Sequence, residues 1–151
     1  ILLGLVGSEM CIRDSYTDPH DAARTVLAEG LIRLGVISQS LDEALDPETG
    51  DLRKWYMHNT SHWIGLDVHD AGVYKPGGTP RVLEPGMCLT IEPGLYFGAW
   101  RPDVDCPERY ANIGIRIEDD VLITTDGPVV LTADCPKSID DIENIVGQDF
   151  A

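Results

Sequence analysis

The chain has 151 residues, of which 43% are hydrophobic and 25% charged, a composition typical of a globular protein with one cored domain. Acidic residues number 26 against 11 basic ones, so the net charge is -15. Such a surface repels nucleic acid phosphates and anionic membranes, and we expect neither as a partner. The cysteines form no CxxC pair and have no regular spacing, which favours a reducing cytoplasmic location over a disulfide framework.

The first 15 residues stand apart from the rest. ILLGLV is far shorter than the roughly 18 apolar residues of a membrane span, and it lacks the flanks of a signal peptide. VGSEMCIRDS (6 to 15) resembles the translated read-through of a sequencing adapter, and the chain starts with Ile1. We therefore expect residues 1–15 to be non-native or disordered, residues 16–151 to form the structured domain, and upstream sequence to be missing. A frayed natural terminus is the alternative.

Two helices are predicted before residue 50. Asp18 as cap and Pro19 in the first turn begin an amphipathic helix that runs to Gly35. Ser40 begins a shorter helix, SLDEAL, and DPETGD (46 to 51) is a turn.

Beyond His58 the sequence favours short strands and loops. In CLTIEPGLYF, alternation places Cys88, Thr90 and Glu92 on one face. In NIGIRIEDDVLIT, one face carries Ile113, Ile115 and Ile117, and the other carries Gly114, Arg116 and Glu118. A final helix, SIDDIENIV, has Ser138 as cap and a predicted buried stripe of Ile139, Ile142, Ile145 and Val146.

Glutamates and histidines form the candidate chemistry. Glu92 lies between Ile91 and Pro93, and Glu118 follows Ile117, so each carboxylate needs a cation or strong donors. HNTSHWIGLDVHD (58 to 70) holds three of the four histidines. His58 and His62 have zincin-like spacing, but Asn59, Thr60 and Ser61 favour an extended segment over a helix. Imidazole and carboxylate ligands without thiolates suit Mn, Co, Fe or Zn in a hydrolytic site.

Three motifs carry a family resemblance, namely HNTSHWIGLDVHDAGVY, LEPGMCLTIEPGLYF and IGIRIEDDVLIT. In this order they make residues 16–151 resemble the pita-bread metallopeptidases, and within them the Xaa-Pro aminopeptidases. The resemblance implies an α+β fold: the C-terminal part of a pita-bread (creatinase/aminopeptidase-like) domain, with a curved antiparallel sheet and helices on its outer face. The implied activity is removal of the first residue from peptides with proline second. The expected partners are a proline-containing peptide and, for the parent protein, further copies of itself.

The resemblance also assigns site residues. It implies two divalent metal ions in the parent, manganese first with cobalt or zinc as alternatives, held by five protein ligands. His62 and Glu92 match ligands of one metal, and Glu118 matches the carboxylate that bridges both. Glu92 also resembles the group that handles the proton of the attacking water.

Other residues resemble groups that contact substrate in the family. His69 is similar to the histidine that hydrogen-bonds the substrate and the tetrahedral intermediate. His58 and Arg116 resemble residues that line the proline subsite, and Tyr96 a wall for the proline ring, with simple core packing as its alternative. Asp67 and Asp70 fit turn or supporting positions better than ligand positions.

Two aspartate ligands that precede this region in the family have no counterpart here, since Asp14 falls in the adapter-like stretch and Asp18 reads as a helix cap. An upstream histidine and the N-terminal domain are also absent. We therefore expect the chain alone to bind at most one metal, weakly, and to be inactive. The alternatives are a prolidase, which cleaves dipeptides, a non-catalytic binding module of the same fold, and, last, a methionine aminopeptidase.

Overall fold

The computed structural model describes residues 14–98, 101–102 and 104–147, so residues 1–13 of the predicted adapter segment lie outside the described residues. The last two residues of that segment pair with the domain. Ser15 forms an antiparallel bridge with Val82, and Leu83 donates its backbone N–H to the carbonyl of Asp14, with N and O 2.9 Å apart. The described helices are α1 (Asp18–Arg33), α2 (Leu41–Leu45) and α3 (Ile139–Ile145), and the strands are β1 (Cys88–Ile91), β2 (Gly94–Phe97), β3 (Ile113–Arg116), β4 (Asp119–Thr124) and β5 (Gly127–Val130).

The two predicted N-terminal helices are confirmed as α1 and α2. Gly35, with φ of +70°, reverses the chain after α1, as glycine does at many helix ends. Ser40 and Glu43 form a reciprocal capping box at α2. The predicted cap of α1 is wrong: Thr17 occupies the cap position, and the Asp18 carboxylate instead accepts a hydrogen bond from the backbone N–H of Ser15. The carboxylate therefore turns back along the chain, away from the first helical N–H groups.

All strand pairs are antiparallel. β1, β4 and β5 form a three-stranded sheet in the order β1-β4-β5, and β2 pairs with β3. The two ladders share one register, because Ile91 faces Asp119 and, three residues on, Gly94 faces Arg116. Continued through the residues between the two ladders, the same register places Glu92 opposite Glu118. The α+β prediction with an antiparallel sheet is confirmed.

Residues 60–64 extend the sheet beyond β1. The backbone N–H of Glu92 donates to Thr60 O at 2.8 Å, and that of Thr90 donates to His62 O at 3.0 Å. Trp63 forms an isolated antiparallel bridge with Leu89. The histidine segment is therefore extended, as predicted, and does not form a zincin helix.

Two hydrophobic cores pack around the elements that carry the site. One packs Trp63 against the apolar face of β1 and β4, with Leu83, Leu89, Ile91, Val121 and Ile123. The other joins α1 and α2 to β2 and contains Leu27, Leu31, Ile37, Leu52, Trp55 and Phe97. No helix among the described residues is both long and apolar enough to cross a membrane.

An apolar groove remains uncovered on one face of β2 and β3. It encloses about 370 Å³, and its apolar lining includes Leu27, Leu34, Leu95, Phe97, Tyr110, Ile113, Ile115 and Ile117. The predicted common face of Ile113, Ile115 and Ile117 is thus confirmed.

The predicted buried stripe of α3 is wrong. The cap at Ser138 is present, since its hydroxyl accepts from the backbone N–H of Asp141. However, Ile139 is 76% exposed and Val146 73% exposed, and Ile142 and Ile145 are also open to solvent. An amphipathic pattern specifies the face that needs a partner, but it does not guarantee that the same chain supplies one.

One buried ion pair ties the C-terminal segment to β4. The Asp119 side chain accepts from Lys137 Nζ at 3.0 Å and from the Thr132 hydroxyl at 2.6 Å. Lys137 also donates to the carbonyls of Thr132 and Cys135, both at 2.9 Å. Because Asp119 is only 4% exposed, its charge depends on these donors.

We expect the apolar groove to cause association of the isolated domain. Size-exclusion chromatography of residues 16–151 should give oligomers or aggregates, because exposed apolar patches of this kind self-associate. Ile115→Thr, inside the groove, should shift the profile toward monomer, and Val129→Thr, exposed on β5 outside it, should not. A compact monomer with sharp thermal unfolding would contradict the expectation.

We expect Lys137→Met to destabilise the domain strongly. Removing the ammonium leaves Asp119 buried with one hydroxyl donor, a loss of about 3 kcal/mol in the free energy of unfolding measured with urea. The matched control is Lys54→Met, because Lys54 and Asp51 form an exposed pair at 2.6 Å. That control should cost about 0.5 kcal/mol. Equal losses would mean that the buried pair has no special role.

Candidate metal centre

Three predicted ligands converge in space. His62, Glu92 and Glu118 each offer one ligand atom, and these atoms all lie within 4.8 Å of one another. His62 comes from the extended segment beside β1, Glu92 follows the end of β1, and Glu118 lies between β3 and β4. Within the part of the chain that the structure describes, this is the only group of three or more such residues.

His62 presents its Nε2 atom to the group. Its Nδ1 lies 3.0 Å from the carbonyl oxygen of Trp63, which can only accept, so Nδ1 carries the proton. Nε2 lies 3.2 Å from Glu92 Oε1, so a neutral imidazole of this tautomer presents its lone pair to the group. A backbone carbonyl on the second nitrogen is the usual way in which proteins orient a metal-binding histidine.

Thr90 links the backbone of His62 to the carboxylate of Glu92. Its hydroxyl accepts from the backbone N–H of His62 at 3.0 Å and donates to Glu92 Oε1 at 3.1 Å. Thr90 is 1% exposed, so the packing of β1 fixes this hydroxyl. Sequence reasoning placed Thr90 on the same face as Glu92 but did not predict this contact.

This donor set fits a divalent cation. An imidazole lone pair and a carboxylate oxygen cannot stably face each other at 3.2 Å unless a proton or a metal lies between them. A second carboxylate, Glu118, adds negative charge to the same space. One imidazole nitrogen and two carboxylate oxygens are ligands that Mn, Co and Zn accept.

Arg116 supplies part of the compensating charge. Its NH1 atom lies 3.4 Å from Glu92 Oε2, and its Nε donates to the Tyr96 hydroxyl at 2.7 Å. The hydrogen bond to Tyr96 is the main cause that raises the pKa of Arg116. The Arg116 side chain is 45% exposed, so solvent screens its charge. Arg116 therefore compensates the charge of Glu92 only in part.

The hydrogen-bond chain continues from Tyr96 to His58. The Tyr96 hydroxyl lies 3.0 Å from His58 Nε2, and His58 Nδ1 lies 2.8 Å from the carbonyl oxygen of Asn59. Nδ1 must donate to that carbonyl, so Tyr96 donates to Nε2 while it accepts from Arg116. Three predicted substrate-contacting residues, His58, Tyr96 and Arg116, thus form one chain that begins at Glu92.

Gly94 makes room for this arrangement. A Cβ atom at position 94 would lie 2.7 Å from the Tyr96 hydroxyl and 3.0 Å from the carbonyl oxygen of Ile115. The Tyr96 ring therefore lies back over Gly94, which lets its hydroxyl reach Arg116. This contact favours a hydrogen-bonding role for Tyr96 over simple core packing.

His69 lies beside the candidate metal ligands. Its ring meets that of His62 edge to face, with centroids 4.4 Å apart. His69 lies in a loop that two backbone hydrogen bonds close. The N–H of Asp70 donates to the carbonyl of Trp63, and the N–H of Gly65 donates to the carbonyl of Asp67. Asp67 and Asp70 are therefore turn residues, as predicted.

A cavity of about 840 Å³ opens over the group. Its walls include His62, Glu92, Arg116 and His69, together with His58. Most of the predicted site residues thus line this cavity. Glu118 is not in its wall but belongs to the ligand group, and Tyr96 is hydrogen-bonded to the wall residues His58 and Arg116.

His20 is a residue of this cavity that sequence reasoning missed. Its Nδ1 lies 2.8 Å from the Thr60 hydroxyl, and Tyr56 packs against both side chains. Burial, then Arg24, lowers the pKa of His20, and burial raises that of Tyr56 to about 12. A lone histidine in an amphipathic helix gives no sequence signal for such a contact.

Sequence comparison identifies relatives with a common name. The family model described as "Metallopeptidase family M24" matches residues 8–125. The Xaa-Pro aminopeptidase of Escherichia coli is 46% identical over 121 residues, which are 80% of this chain and 26% of that protein. Xaa-Pro aminopeptidase 1 of Streptomyces coelicolor is 45% identical over 129 residues, which are 85% of this chain and 26% of that protein.

Solved structures agree in fold. The structure of Pseudomonas aeruginosa aminopeptidase PepP has a TM-score of 0.82 at 39% identity, and the match covers 93% of this chain and 33% of that one. Zn-substituted E. coli aminopeptidase P in complex with product gives 0.79 at 40% identity, covering 95% and 31%. The chain thus spans about a quarter to a third of the length of these relatives. Together with the site geometry, these matches show that the chain belongs to metallopeptidase family M24.

Proposed function

We propose that this chain is the C-terminal part of the catalytic domain of an Xaa-Pro aminopeptidase. The parent would release the first residue from peptides that have proline in second position. The observation that carries the proposal is the convergence of His62, Glu92 and Glu118 within 4.8 Å, beside the chain from Arg116 through Tyr96 to His58. The names of the matching relatives support the same substrate class.

The proposed cofactor is a pair of divalent metal ions, manganese in the first place, with cobalt or zinc as alternatives. His62 and Glu92 would hold one ion, and Glu118 would bridge the two. Bound metal would supply Lewis acidity, which polarises the scissile carbonyl and acidifies water. We further propose a cytoplasmic, homo-oligomeric parent.

The surrounding residues have distinct proposed roles. Glu92 would move the proton of the attacking water, and Thr90 would fix the carboxylate for that task through its hydrogen bond. His69 faces the cavity next to His62 and would donate a hydrogen bond to the substrate. Arg116, Tyr96 and His58 would position the proline and the carbonyl that follows it.

The chain alone lacks part of the proposed ligand set. The two aspartates expected upstream would complete the second metal site, and Asp18, whose carboxylate accepts from Ser15, is not among the converging ligands. With one imidazole and two carboxylates, the chain would bind one ion weakly and remain inactive.

We expect Mn²⁺ or Zn²⁺ titrated into the chain to bind at one site, as measured by isothermal titration calorimetry. His62→Ala, Glu92→Gln and Glu118→Gln should each weaken binding by about tenfold or more, because each removes a ligand atom. Glu84→Gln is the matched control, since Glu84 is an exposed glutamate outside the group. Equal affinities for the Glu118→Gln and Glu84→Gln variants would contradict the ligand assignment.

We expect the full-length parent, loaded with Mn²⁺, to release the first residue from Ala-Pro-Ala and from longer Ala-Pro peptides. Ala-Ala-Ala should be a much poorer substrate, because the His58, Tyr96 and Arg116 wall is proposed to fit the proline ring. Liquid chromatography of the products would measure both. Cleavage of Ala-Pro alone, with no tripeptide turnover, would identify a prolidase, and no turnover of any peptide would favour a non-catalytic module.

A further inference from the structure

A second cavity lies next to the candidate metal centre. It encloses about 390 Å³ and shares His20, His58 and Asn59 with the walls of the larger cavity. His58 is also the last member of the chain of hydrogen bonds that begins at Glu92. The second cavity therefore adjoins the larger one at these three shared residues.

Two arginines line this second cavity, in a strongly acidic protein. Arg24 and Arg53 are in its wall, although the whole chain has only 11 lysines and arginines and a net charge of -15. One carboxylate, Asp46, also lines it. That carboxylate already accepts from the backbone N–H groups of Glu48 and Thr49 and from the Thr49 hydroxyl, at 2.7 to 2.9 Å. Hydrogen bonds from neutral groups leave the charge of Asp46 in place, and Asp21 lies beside Arg24, so the two guanidinium groups are nearly balanced in charge. What the wall offers a ligand is therefore the set of guanidinium donors rather than an excess of positive charge.

The two arginines differ in how they are held. Arg24 donates to the carbonyl of Leu45, and a second nitrogen lies 3.8 Å from Asp21, so its position is fixed by the fold. Arg53 is exposed and, in the described part of the chain, makes no hydrogen bond or salt bridge. Its five N–H donors are therefore available to a ligand.

We propose that this arginine-lined cavity binds a carboxylate of the peptide substrate through the unengaged guanidinium of Arg53, on the leaving-group side of the scissile bond. The inference rests on the proposed function, which sets the proline ring beside His58. A peptide that continues beyond the proline then passes His58 and Asn59 and reaches Arg53 and Arg24. The carboxylate is either the C-terminus of a short substrate or the side chain of an aspartate or glutamate that follows the proline.

The test is peptide binding to the metal-free full-length protein, measured by isothermal titration calorimetry. The reference peptide is Ala-Pro-Asn-Ala amide. Ala-Pro-Asp-Ala amide adds a side-chain carboxylate, and Ala-Pro-Asn-Ala with a free terminus adds a terminal one. At least one of these two should bind about threefold tighter than the reference, the size expected for a partly solvated ion pair. The peptide that gains affinity identifies the source of the carboxylate.

Two variants separate this cavity from a general charge effect. Arg53→Gln should remove the preference for the carboxylate peptide, and Arg33→Gln, which deletes an exposed arginine outside the cavity, should retain it. Equal binding of all three peptides, an absence of binding, or the same loss in both variants would overturn the proposal. Failure of the metal-loaded protein to cleave Xaa-Pro peptides would instead overturn the proposed function, because the binding assay needs no turnover.

Discussion

The antiparallel register that runs from β1–β4 into β2–β3 is the constraint on which the site depends. It sets two carboxylates, Glu92 and Glu118, opposite each other on one face, where like charges raise the free energy of the folded chain. Register cannot slip by one residue without turning the apolar face outward. The hydrophobic cores that fix the register therefore hold the two carboxylates near each other. Arg116 offsets part of their repulsion, and a divalent ion would offset more of it.

The same ribbon has two unlike faces, and this accounts for both the site and the exposed groove. On one face, Thr90, Glu92, Tyr96 and Arg116 are joined by hydrogen bonds and an ion pair. On the other, the isoleucines of β3 join α1 and β2 around an apolar space. Strands that alternate in this way need apolar packing on one face and polar or charged partners on the other. In this chain the second core covers only part of the apolar side.

Local patterns predicted much of this, and they failed where the answer depends on distant contacts. Alternation predicted the faces of Glu92 and of Ile115, and the Ser40 capping box was readable from adjacent residues. The stripe of α3 was correctly read as amphipathic and wrongly read as buried, since burial requires a partner that the pattern does not name. The contacts of His20 with Thr60 join residues 40 positions apart, and no local signal encodes them. The convergence of the three candidate ligands was inferred from resemblance, because spacing alone cannot bring positions 62, 92 and 118 together.

The division of ligands along the sequence has a consequence for folding. Glu92 and Glu118 lie at the ends of paired strands, His62 lies in the extended segment beside β1, and Thr90 hydrogen-bonds to the backbone of His62 and to the carboxylate of Glu92. The two carboxylates would repel each other without an ion, and a bound divalent ion would offset that repulsion. A second ion would need ligands from sequence outside these strands. Binding of two ions would therefore couple the strands described here to the rest of the proposed catalytic domain, and the complete centre would form only where both parts have docked.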